Sequence, residues 1–507
     1  MAKSKLQLPK FELYKDGDFK RELEVLWDYY EKNEKNVRTD FWRDYARLIH
    51  SPSFRKLKGK TQLFPGMESD FFRWSLTHLL EVAEIGKSIA NHINYKLKTF
   101  FDTKKIYYDQ NSFINTDLVS LACIAHDIGH PPFGHQGEYA LDECMKEYGG
   151  FEGNAQTLRI ISKLEKKDYA ESDDNDFTGF SGTKDLRKGL NLCYRSIASI
   201  LKYDNCIPET RGKQGKLFKG YYKEEETLVE TVKQNILNIS SSFPFKTIEC
   251  QIMDIADDIA YSVYDLEDSL KGGFIEPIDL FTNKDIQNFR ATLAGLIRDK
   301  GNRESIKNFR ECDERKVNDV LFDIFFPDRF GIDVNDKDVS FSSIAIKESK
   351  MLSSNGYLRS KFCSNLVTQF IYAVDLEFVD LENPCLTKVK LNEDIMLKIE
   401  VLKRLTYEYQ IQSAKLKIVE FNGKNIVKRL FEVFTTNTDE IKGFEFLPED
   451  VLTIYNKIKE EKNDIKREQR IKRTICDFIA GMTNSYAIEY YNRLFSTSGI
   501  SIHKPIN

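Results

Sequence analysis

Three histidines, His126, His130 and His135, lie within ten residues of one another in the segment AHDIGHPPFGHQGE, residues 125–138. Asp127 follows the first of them, and the whole chain has only 7 histidines, so the clustering is not a matter of composition. Imidazole nitrogens beside a carboxylate suit a divalent metal of intermediate hardness, such as manganese, magnesium, iron, cobalt or zinc. Such an ion polarises phosphate oxygens and activates water. The segment therefore predicts a hydrolytic metal centre.

A simpler interpretation is that His126 caps the C-terminal end of its own helix, where positive charge is favoured. His130 and His135 would then be ordinary surface residues. A single histidine would fit this interpretation, but three of them beside an aspartate favour a functional cluster.

Helices must position this segment and its partners. Apolar residues that recur every three or four positions predict one helix around His78 and another over residues 118–125. Gly129 and two prolines end the second helix, so His126 and Asp127 fall in its last turn. The turn that follows is stiffened by proline and hinged by glycine, which holds its side chains in place.

A third predicted helix, over about residues 246–270, combines apolar and acidic residues. Its residues Asp257, Tyr261 and Asp265 recur at intervals of four, which places them on one helix face over about 12 Å. That length suits a metal-bound phosphate followed by a sugar. A solvated acidic face would explain the same pattern.

Length and composition favour a globular protein with more than one lobe. A chain of 507 residues exceeds what a single hydrophobic core usually organises. The 75 basic and 79 acidic residues nearly cancel, so any phosphate binding must be local. The 9 cysteines include no CxxC pair, which predicts reduced thiols. The start lacks a signal segment and no apolar run could span a bilayer, so we expect a cytoplasmic protein.

Helical periodicity covers most of the remaining chain, with one exception. Residues 415–427 place Asn422-Gly423 between KLKIVEF and KNIV, a pattern typical of a β-hairpin. The basic run at residues 459–474 contains acidic residues throughout and no aromatic residue. It therefore indicates a solvated helix rather than a groove for nucleic acid.

The histidine–aspartate pattern and its surroundings resemble the deoxyguanosinetriphosphate triphosphohydrolases, or dGTPases, of the HD superfamily. The resemblance extends from residue 43 to about residue 494, and its last segment is similar to the C-terminal helix of the long bacterial members. The segments that carry it are RDYARLIHSPSFRKLKGKTQLF from Arg43, LTHLLEVAEIGKSIA from Leu76, FEGNAQTLRI from Phe151, DIADDIAYSVYDLED from Asp254 and DFIAGMTNSYAIEYYNRL from Asp477.

This resemblance implies an all-α fold, in which an HD-domain helical core carries an additional C-terminal helical lobe and the small β-hairpin. The implied division has three parts. Residues 1–45 form an N-terminal helical extension and residues 46–275 the HD catalytic core. Residues 276–507 form a mostly helical C-terminal lobe that completes the active site and makes oligomer contacts.

The resemblance also implies the roles of the clustered residues. In the family the fourth metal ligand is the first aspartate of the DD pair, here Asp257, although Asp254 and Asp258 compete with it on composition alone. The implied metal ligands are His78, His126, Asp127 and Asp257. The implied catalytic residues are His135 as general acid/base, Glu138 as the carboxylate that orients it, and His130 as a phosphate-binding or assisting group.

Substrate contacts are implied along the third helix and beyond it. Tyr261 would pack on the deoxyribose where a 2'-hydroxyl would clash, and Asp265 would accept a hydrogen bond from the 3'-hydroxyl. Two positions depart from the family pattern, because Ser75 stands where many relatives have arginine and Phe218 where a lysine is expected. The other implied contacts are Arg73, Lys202, Tyr203 and Lys219 to phosphate, Asn154 in the active site, and Gln62 near the sugar and base.

Together these residues predict hydrolysis of a deoxynucleoside triphosphate, with dGTP favoured, to the nucleoside and inorganic triphosphate. The alternatives are a dNTPase of broad specificity, another HD phosphohydrolase or phosphodiesterase, and an HD nucleotide-sensing module without turnover. The resemblance further implies a homo-oligomer, with a hexamer as one candidate, and single-stranded DNA or a nucleotide as a candidate allosteric effector. We expect no membrane association.

Overall fold

The computed structural model of the protein describes residues 10–23, 38–60, 73–171, 178–210, 217–239, 244–282, 286–326, 341–408, 414–438 and 440–495. Helices dominate these residues, which confirms the all-α prediction. The α-helices are α1 (Asp16–Phe19), α2 (Asp40–Ile49), α3 (Pro52–Lys56), α4 (Ser75–Lys104), α5 (Thr116–Ala125), α6 (Gly134–Cys144), α7 (Gly153–Arg159), α8 (Tyr194–Ala198), α9 (Glu226–Ile236), α10 (Ile248–Lys271), α11 (Asp279–Thr282), α12 (Ile286–Glu304), α13 (Lys307–Arg310), α14 (Glu314–Phe325), α15 (Phe341–Ser354), α16 (Gly356–Tyr372), α17 (Glu393–Thr406), α18 (Ala414–Thr435), α19 (Glu449–Lys459), α20 (Asp464–Ala480) and α21 (Asn484–Phe495).

Three of these helices, α4, α5 and α10, pack against one another at the centre of the N-terminal half. Side-chain caps fix where two of them begin. Asn115 accepts hydrogen bonds from the first N–H groups of α5, and Thr247 does the same for α10. The helices predicted around His78, over residues 118–125 and over residues 246–270 are thereby confirmed.

The contact faces of these three helices are apolar and sealed from water. Leu79, Val82, Ile89, Leu118, Leu121, Ile252, Ile259 and Val263 are all fully buried. Close packing of this kind resists small displacements, because any shift opens a void or forces an overlap. The three helices therefore form a rigid platform for side chains that project from their ends and edges.

A second hydrophobic cluster joins α6 to the C-terminal helices α18, α20 and α21. The β-hairpin predicted over residues 415–427 is wrong, because these residues belong to α18, a helix of 22 residues. Burial of an apolar stripe at helical spacing overrides the turn preference of Asn422-Gly423. The buried residues of the stripe are Val427, Leu430, Phe431 and Phe434.

Gly423 serves close packing rather than a turn. A Cβ atom at this position would lie 2.6 Å from Cγ of Phe133, nearer than two carbon atoms can approach. Phe133 immediately precedes α6 and has a positive φ of 65°. The glycine therefore lets α18 come against the turn that carries the histidines.

The two β-sheets are small, antiparallel and located elsewhere. β1 (Phe180–Ser181) pairs with β2 (Lys184–Asp185), and β3 (Val374–Phe378) pairs with β4 (Lys388–Leu391). β3 contacts α4 and β4 contacts α10. The second sheet thus covers part of the central helices.

The main hydrophobic core crosses residue 275, the predicted boundary between the catalytic core and the C-terminal lobe. It extends from Phe11 to Leu405 and includes residues of α12, α14, α16 and α17. Helices on both sides of the boundary therefore share one core. The division into residues 1–45, 46–275 and 276–507 stays a prediction.

The described helices do not have the character of membrane spans, since none is both long enough and apolar enough to cross a bilayer. Even α4, with 30 residues, carries charged side chains along its length.

The contact between α4 and α5 allows a test of whether close packing of the central helices stabilises the fold. A Cβ atom at Gly86 would lie 2.7 Å from Sγ of Cys123 and 3.1 Å from Cγ1 of Val119. Gly86→Leu should therefore lower the free energy of unfolding by about 1–3 kcal/mol, the usual cost of overpacking. The measurement is the apparent melting temperature.

The matched control is Gly295→Leu in α12, where nothing lies within 4 Å of the added Cβ. This change should leave the melting temperature unchanged or raise it, because leucine favours helix over glycine. Equal losses in the two variants would contradict the packing argument.

Candidate metal centre and active site

The platform brings imidazole and carboxylate groups together where α4, α5 and α10 meet. His78 Nε2 lies 3.3 Å from Asp257 Oδ1. His126 Nε2 lies 3.3 Å from Asp127 Oδ1 and 3.5 Å from Asp257 Oδ1. The ligand atoms of His78, His126 and Asp127 all lie within 4.8 Å of one another. The structure thus places the four predicted metal ligands around one point.

His126 is oriented by the helix that carries it. Its Nδ1 lies 2.7 Å from the carbonyl oxygen of Cys123. With the ring proton donated there, the lone pair on Nε2 faces the carboxylates, as in histidines that bind metals. Nε2 is buried and has no hydrogen-bond partner among the described residues. A buried lone pair between two carboxylates fits a divalent cation.

The negative charges of Asp127 and Asp257 need a positive charge nearby. Burial alone would favour neutral groups, but Asp127 and Asp257 raise the pKa of His126 well above its usual value. Burial likewise opposes ionisation of Asp127 and Asp257, yet His126 holds the pKa of each carboxyl well below its usual range. Two carboxylates that stay ionised although they are largely shielded from water, with side chains 15% and 24% exposed, indicate a site for positive charge.

Ion pairs separate Asp257 from its two competitors. Asp254 pairs with Lys202 at 2.9 Å, and Asp258 pairs with Lys403 at 2.5 Å. Those carboxylates are neutralised by lysines on neighbouring elements. Asp257 faces the histidines instead, so the geometry favours it as the fourth ligand.

The turn after the His126–Asp127 pair carries the other two histidines. His130 Nδ1 lies 3.1 Å from Asp127 Oδ1, and His135 Nδ1 lies 3.4 Å from Glu138 Oε2. The N–H of Gly153 donates a hydrogen bond of 2.7 Å to Glu138 Oε1. The His135 side chain is 74% exposed and the Glu138 side chain 8%. A fixed, buried carboxylate therefore holds an accessible imidazole.

These groups line a cavity of about 830 Å³, large enough for a nucleotide. Tyr261 stands in its wall one helical turn after Asp257. Among the described residues, eight lysines and arginines and nine aspartates and glutamates line the cavity. Such a lining suits a small, highly charged ligand rather than an apolar one. Other predicted site residues in the wall are Asn154, Lys202, Tyr203 and Lys219, together with Ser75.

Two predicted substrate contacts, Arg73 and Asp265, are not among the described residues of the cavity wall. Arg73 forms ion pairs with Glu81 at 2.9 Å, and with Glu267 and Asp268, which occupy its guanidinium. Asp265 is buried, and burial raises the pKa of its carboxyl to about 7. Gln62 lies outside the described residues.

Phe218, at the position where a lysine is expected, packs against a small buried cluster with Ile207 and Tyr222. Lys219 is the neighbour that lines the cavity, and its Nζ donates a 3.0 Å hydrogen bond to the hydroxyl of Tyr203. The Lys219 ammonium also lies 5.0 Å from the centre of the Tyr203 ring.

Several cavity residues escaped the sequence interpretation because they belong to no local motif. Most of them lie on α12, α17 and α18 or just after α17, far along the chain from the histidines. Three lie in segments discussed above: Lys60 in KGKTQLF, Lys246 at the start of the third predicted helix, and Glu420 in the predicted hairpin. The cavity residues missed from the sequence include Lys60, Lys246, Lys300, Arg303, Glu304, Glu400, Lys403, Arg404, Tyr407 and Glu420.

Lys60 holds the histidine turn from behind. Its buried ammonium donates hydrogen bonds to the carbonyl oxygens of His130 and, at 3.5 Å, of Ile128. A third bond of 3.3 Å reaches the carbonyl of Ala480 at the end of α20. One side chain thus ties the turn to the C-terminal helices.

The metal assignment yields a paired prediction. Asp257→Ala should abolish stoichiometric binding of divalent metal, because it removes a carboxylate shared by both imidazoles. Asp258→Ala, one residue away, should retain the metal, because Asp258 is paired with Lys403. Elemental analysis of the purified variants is the measurement. Loss of metal in the Asp258 variant alone would reverse the assignment.

Lys60 yields a prediction about pH. Burial lowers the pKa of Lys60 to about 7, whereas a lysine in an unfolded chain has a pKa of about 10.4. Between these values the unfolded chain binds a proton that the folded chain lacks, so this group makes the fold more stable as pH rises.

Lys60→Met removes that contribution. The melting temperature of the wild type minus that of the variant should therefore increase when pH is raised from about 7 to about 9.5. A difference that stays constant across this range would show that Lys60 does not titrate in it.

Comparison with known protein families identifies two regions of the chain, and both contribute residues to the cavity wall. Residues 75–186 match the HD domain family, and residues 389–493 match the phosphohydrolase-associated domain family. The first region contains the histidine segment, and the second contains α17, α18 and α20.

Relatives align along nearly the whole chain. Deoxyguanosinetriphosphate triphosphohydrolase-like protein 2 of Mesorhizobium japonicum is 40% identical, over 97% of this chain and 100% of its own length. Deoxyguanosinetriphosphate triphosphohydrolase-like proteins of Actinobacillus succinogenes and Shewanella sediminis are 29% and 28% identical, over 91% and 92% of this chain and 96% and 94% of their own lengths. The chain therefore belongs to the deoxyguanosinetriphosphate triphosphohydrolase-like family of HD-domain proteins.

Proposed function

We propose that this protein is a metal-dependent triphosphohydrolase that cleaves deoxynucleoside triphosphates, dGTP foremost, into the deoxynucleoside and inorganic triphosphate. The observation that carries the proposal is the shared cavity wall in which Asp257 of the metal cluster, Tyr261 and His135 face the same space. The names of the relatives support a deoxynucleotide substrate.

A divalent metal would be held by His78, His126, Asp127 and Asp257. Bound there, it would polarise a phosphate oxygen and lower the pKa of a water molecule. Its identity among manganese, magnesium, iron, cobalt and zinc follows from availability as much as from this mixed nitrogen and oxygen donor set. The residues themselves supply donor atoms that already face one point.

His135 is proposed to hold and transfer the proton. Its Nδ1 faces Glu138, which leaves Nε2 for the reacting groups. Burial works against a charged Glu138, but the hydrogen bond with His135 and the nearby His130 keep its pKa below the usual value. An ionised Glu138 stabilises the protonated ring, which can then deliver the proton to the 5'-oxygen as water bonds to the α-phosphorus and the bond from phosphorus to the 5'-oxygen breaks. The proton lost by the water restores the protonated ring.

Tyr261 is proposed to select deoxyribose over ribose, and the cations are proposed to bind the triphosphate. The Tyr261 ring lies in the wall beyond the metal cluster, where a ribose 2'-hydroxyl would meet it. Lys202, Tyr203 and Lys219 line the cavity on the side of the N-terminal half. The C-terminal half adds further cations to hold the triphosphate, whose charge needs several fixed partners. These are Arg303 and three cations that are paired with carboxylates in the described structure, Lys300 and Arg404 with Glu400 and Lys403 with Asp258. Those three would exchange a carboxylate for phosphate when the triphosphate binds.

Three further properties stay predictions, two from the family resemblance and the last from the amino-acid sequence. They comprise a homo-oligomer with a hexamer as one candidate, single-stranded DNA or a nucleotide as effector, and a cytoplasmic location.

The test incubates the metal-loaded full chain with each dNTP and each NTP and separates the products. Inorganic triphosphate and nucleoside in equal amounts, from dNTPs in preference to NTPs, is the expected result. Pyrophosphate or single phosphate would instead assign another HD phosphohydrolase reaction. Saturable binding of a dNTP with no product would assign a nucleotide-sensing module.

His135 is tested separately from the metal. His135→Ala should keep its metal but lose turnover by about 10²–10⁴-fold, the usual contribution of a general acid/base. His50→Ala, which removes an exposed histidine elsewhere, is the control for general effects. Product release and elemental analysis give the two readouts. Full turnover in the His135 variant would mean that another group transfers the proton.

A further inference from the structure

A second group of metal-binding side chains lies beside the first. The ligand atoms of His130, His135 and Glu138 are all within 4.8 Å of one another. The ring centres of the two histidines are 5.5 Å apart. The predicted site already uses His135 and Glu138 as a proton-transfer pair. Together with His130 they also present the donor atoms of a metal site.

Backbone structure fixes Glu138 and sets His135 beside it. His135 and Glu138 are three residues apart on α6, so they share one helix face. Glu138 Oε1 accepts the Gly153 N–H, which leaves Oε2 towards His135. Gly153 also keeps the space open, because a Cβ atom there would lie 3.2 Å from Cδ2 of His130 and 3.3 Å from Glu138 Oε1.

Asp127 orients His130 towards this space. Its Oδ1 lies 3.1 Å from His130 Nδ1. With the ring proton on Nδ1 donated to that carboxylate, His130 Nε2 carries the lone pair. Nε2 and Glu138 Oε1 lie 3.4 Å and 3.3 Å from the same point, the Cβ position of Gly153. A carboxylate that fixes the far nitrogen is the usual support of a metal-binding histidine.

We propose that His130, His135 and Glu138 form a second, weaker divalent-metal site that takes zinc. Two imidazoles and one carboxylate are a recurrent zinc donor set, and the exposed His135 leaves positions open for water. The site is weaker than the first because His135 must lose side-chain freedom to bind.

Zinc at this site would occupy the nitrogen and carboxylate groups that transfer the proton. Excess zinc would therefore inhibit the enzyme, a consequence that rests on the proposed function, whereas binding of the second ion does not.

The test counts zinc. Metal-stripped full-length protein is dialysed against increasing free zinc, and bound zinc per chain is measured by elemental analysis. The wild type should take up zinc in two steps, one tight and one weak. His130→Asn and Glu138→Gln should keep the tight step and weaken the second by at least about tenfold, since even outer partners of a metal contribute 10–100-fold.

Retention of the tight step also shows that each variant is folded. His50→Asn is the matched control, since it removes an exposed histidine from another part of the chain and should keep both steps. A single step in the wild type, or a second step unchanged in both cluster variants, would overturn the proposal.

Cobalt gives an independent readout. A second equivalent of cobalt should add visible absorption in the wild type that is lost in His130→Asn. An identical spectrum in the two proteins would count against the second site.

Turnover separates this inference from the proposed function. If no dNTP is hydrolysed but zinc binds in two steps, the proposed function fails and the second site stands. If dNTPs are hydrolysed and zinc binding stops at one equivalent, the second site fails. If turnover is unaffected while the second zinc is bound, the prediction that excess zinc inhibits the enzyme is wrong.

Discussion

Two partly buried aspartates that remain ionised are the constraint on which the site depends. Asp127 and Asp257 lie beside His126, away from most of the solvent that would otherwise screen them. Leaving such charges unpaired would cost several kcal/mol. Histidines and a bound cation offset this cost only if the three central helices hold every group in register. The dense apolar contacts among α4, α5 and α10 supply that rigidity. The chemistry of the site therefore requires the close packing of the core.

The parts that could be predicted from the sequence are those in which local spacing determines placement. His126, His130 and His135 are close in space because they are close in sequence, and the spacing of Asp257 and Tyr261 places both in one cavity wall. The same kind of local evidence was wrong at Asn422-Gly423. There the turn preference is worth less than burying one face of α18 against the histidine turn, and only the tertiary structure supplies that comparison.

Residues brought to the cavity by tertiary folding could not be predicted. Arg303 and Arg404 reach it from helices with no catalytic motif. Conversely, Arg73 sits beside the first ligand helix in sequence, yet Glu81, Glu267 and Asp268 bind it elsewhere. Sequence proximity to a motif therefore does not determine whether a cation binds substrate or supports the fold. The choice between Asp254, Asp257 and Asp258 likewise depended on which lysines the fold places opposite them.

The histidine turn depends on the last part of the chain. Lys60 ties it to the carbonyl of Ala480, and the N–H of Phe133 donates a 3.0 Å hydrogen bond to the side chain of Asn484. During synthesis the four metal ligands leave the ribosome more than two hundred residues before these partners do. The turn therefore gains two of the contacts that hold it only after residues 480–484 have been synthesised, well after the ligands themselves.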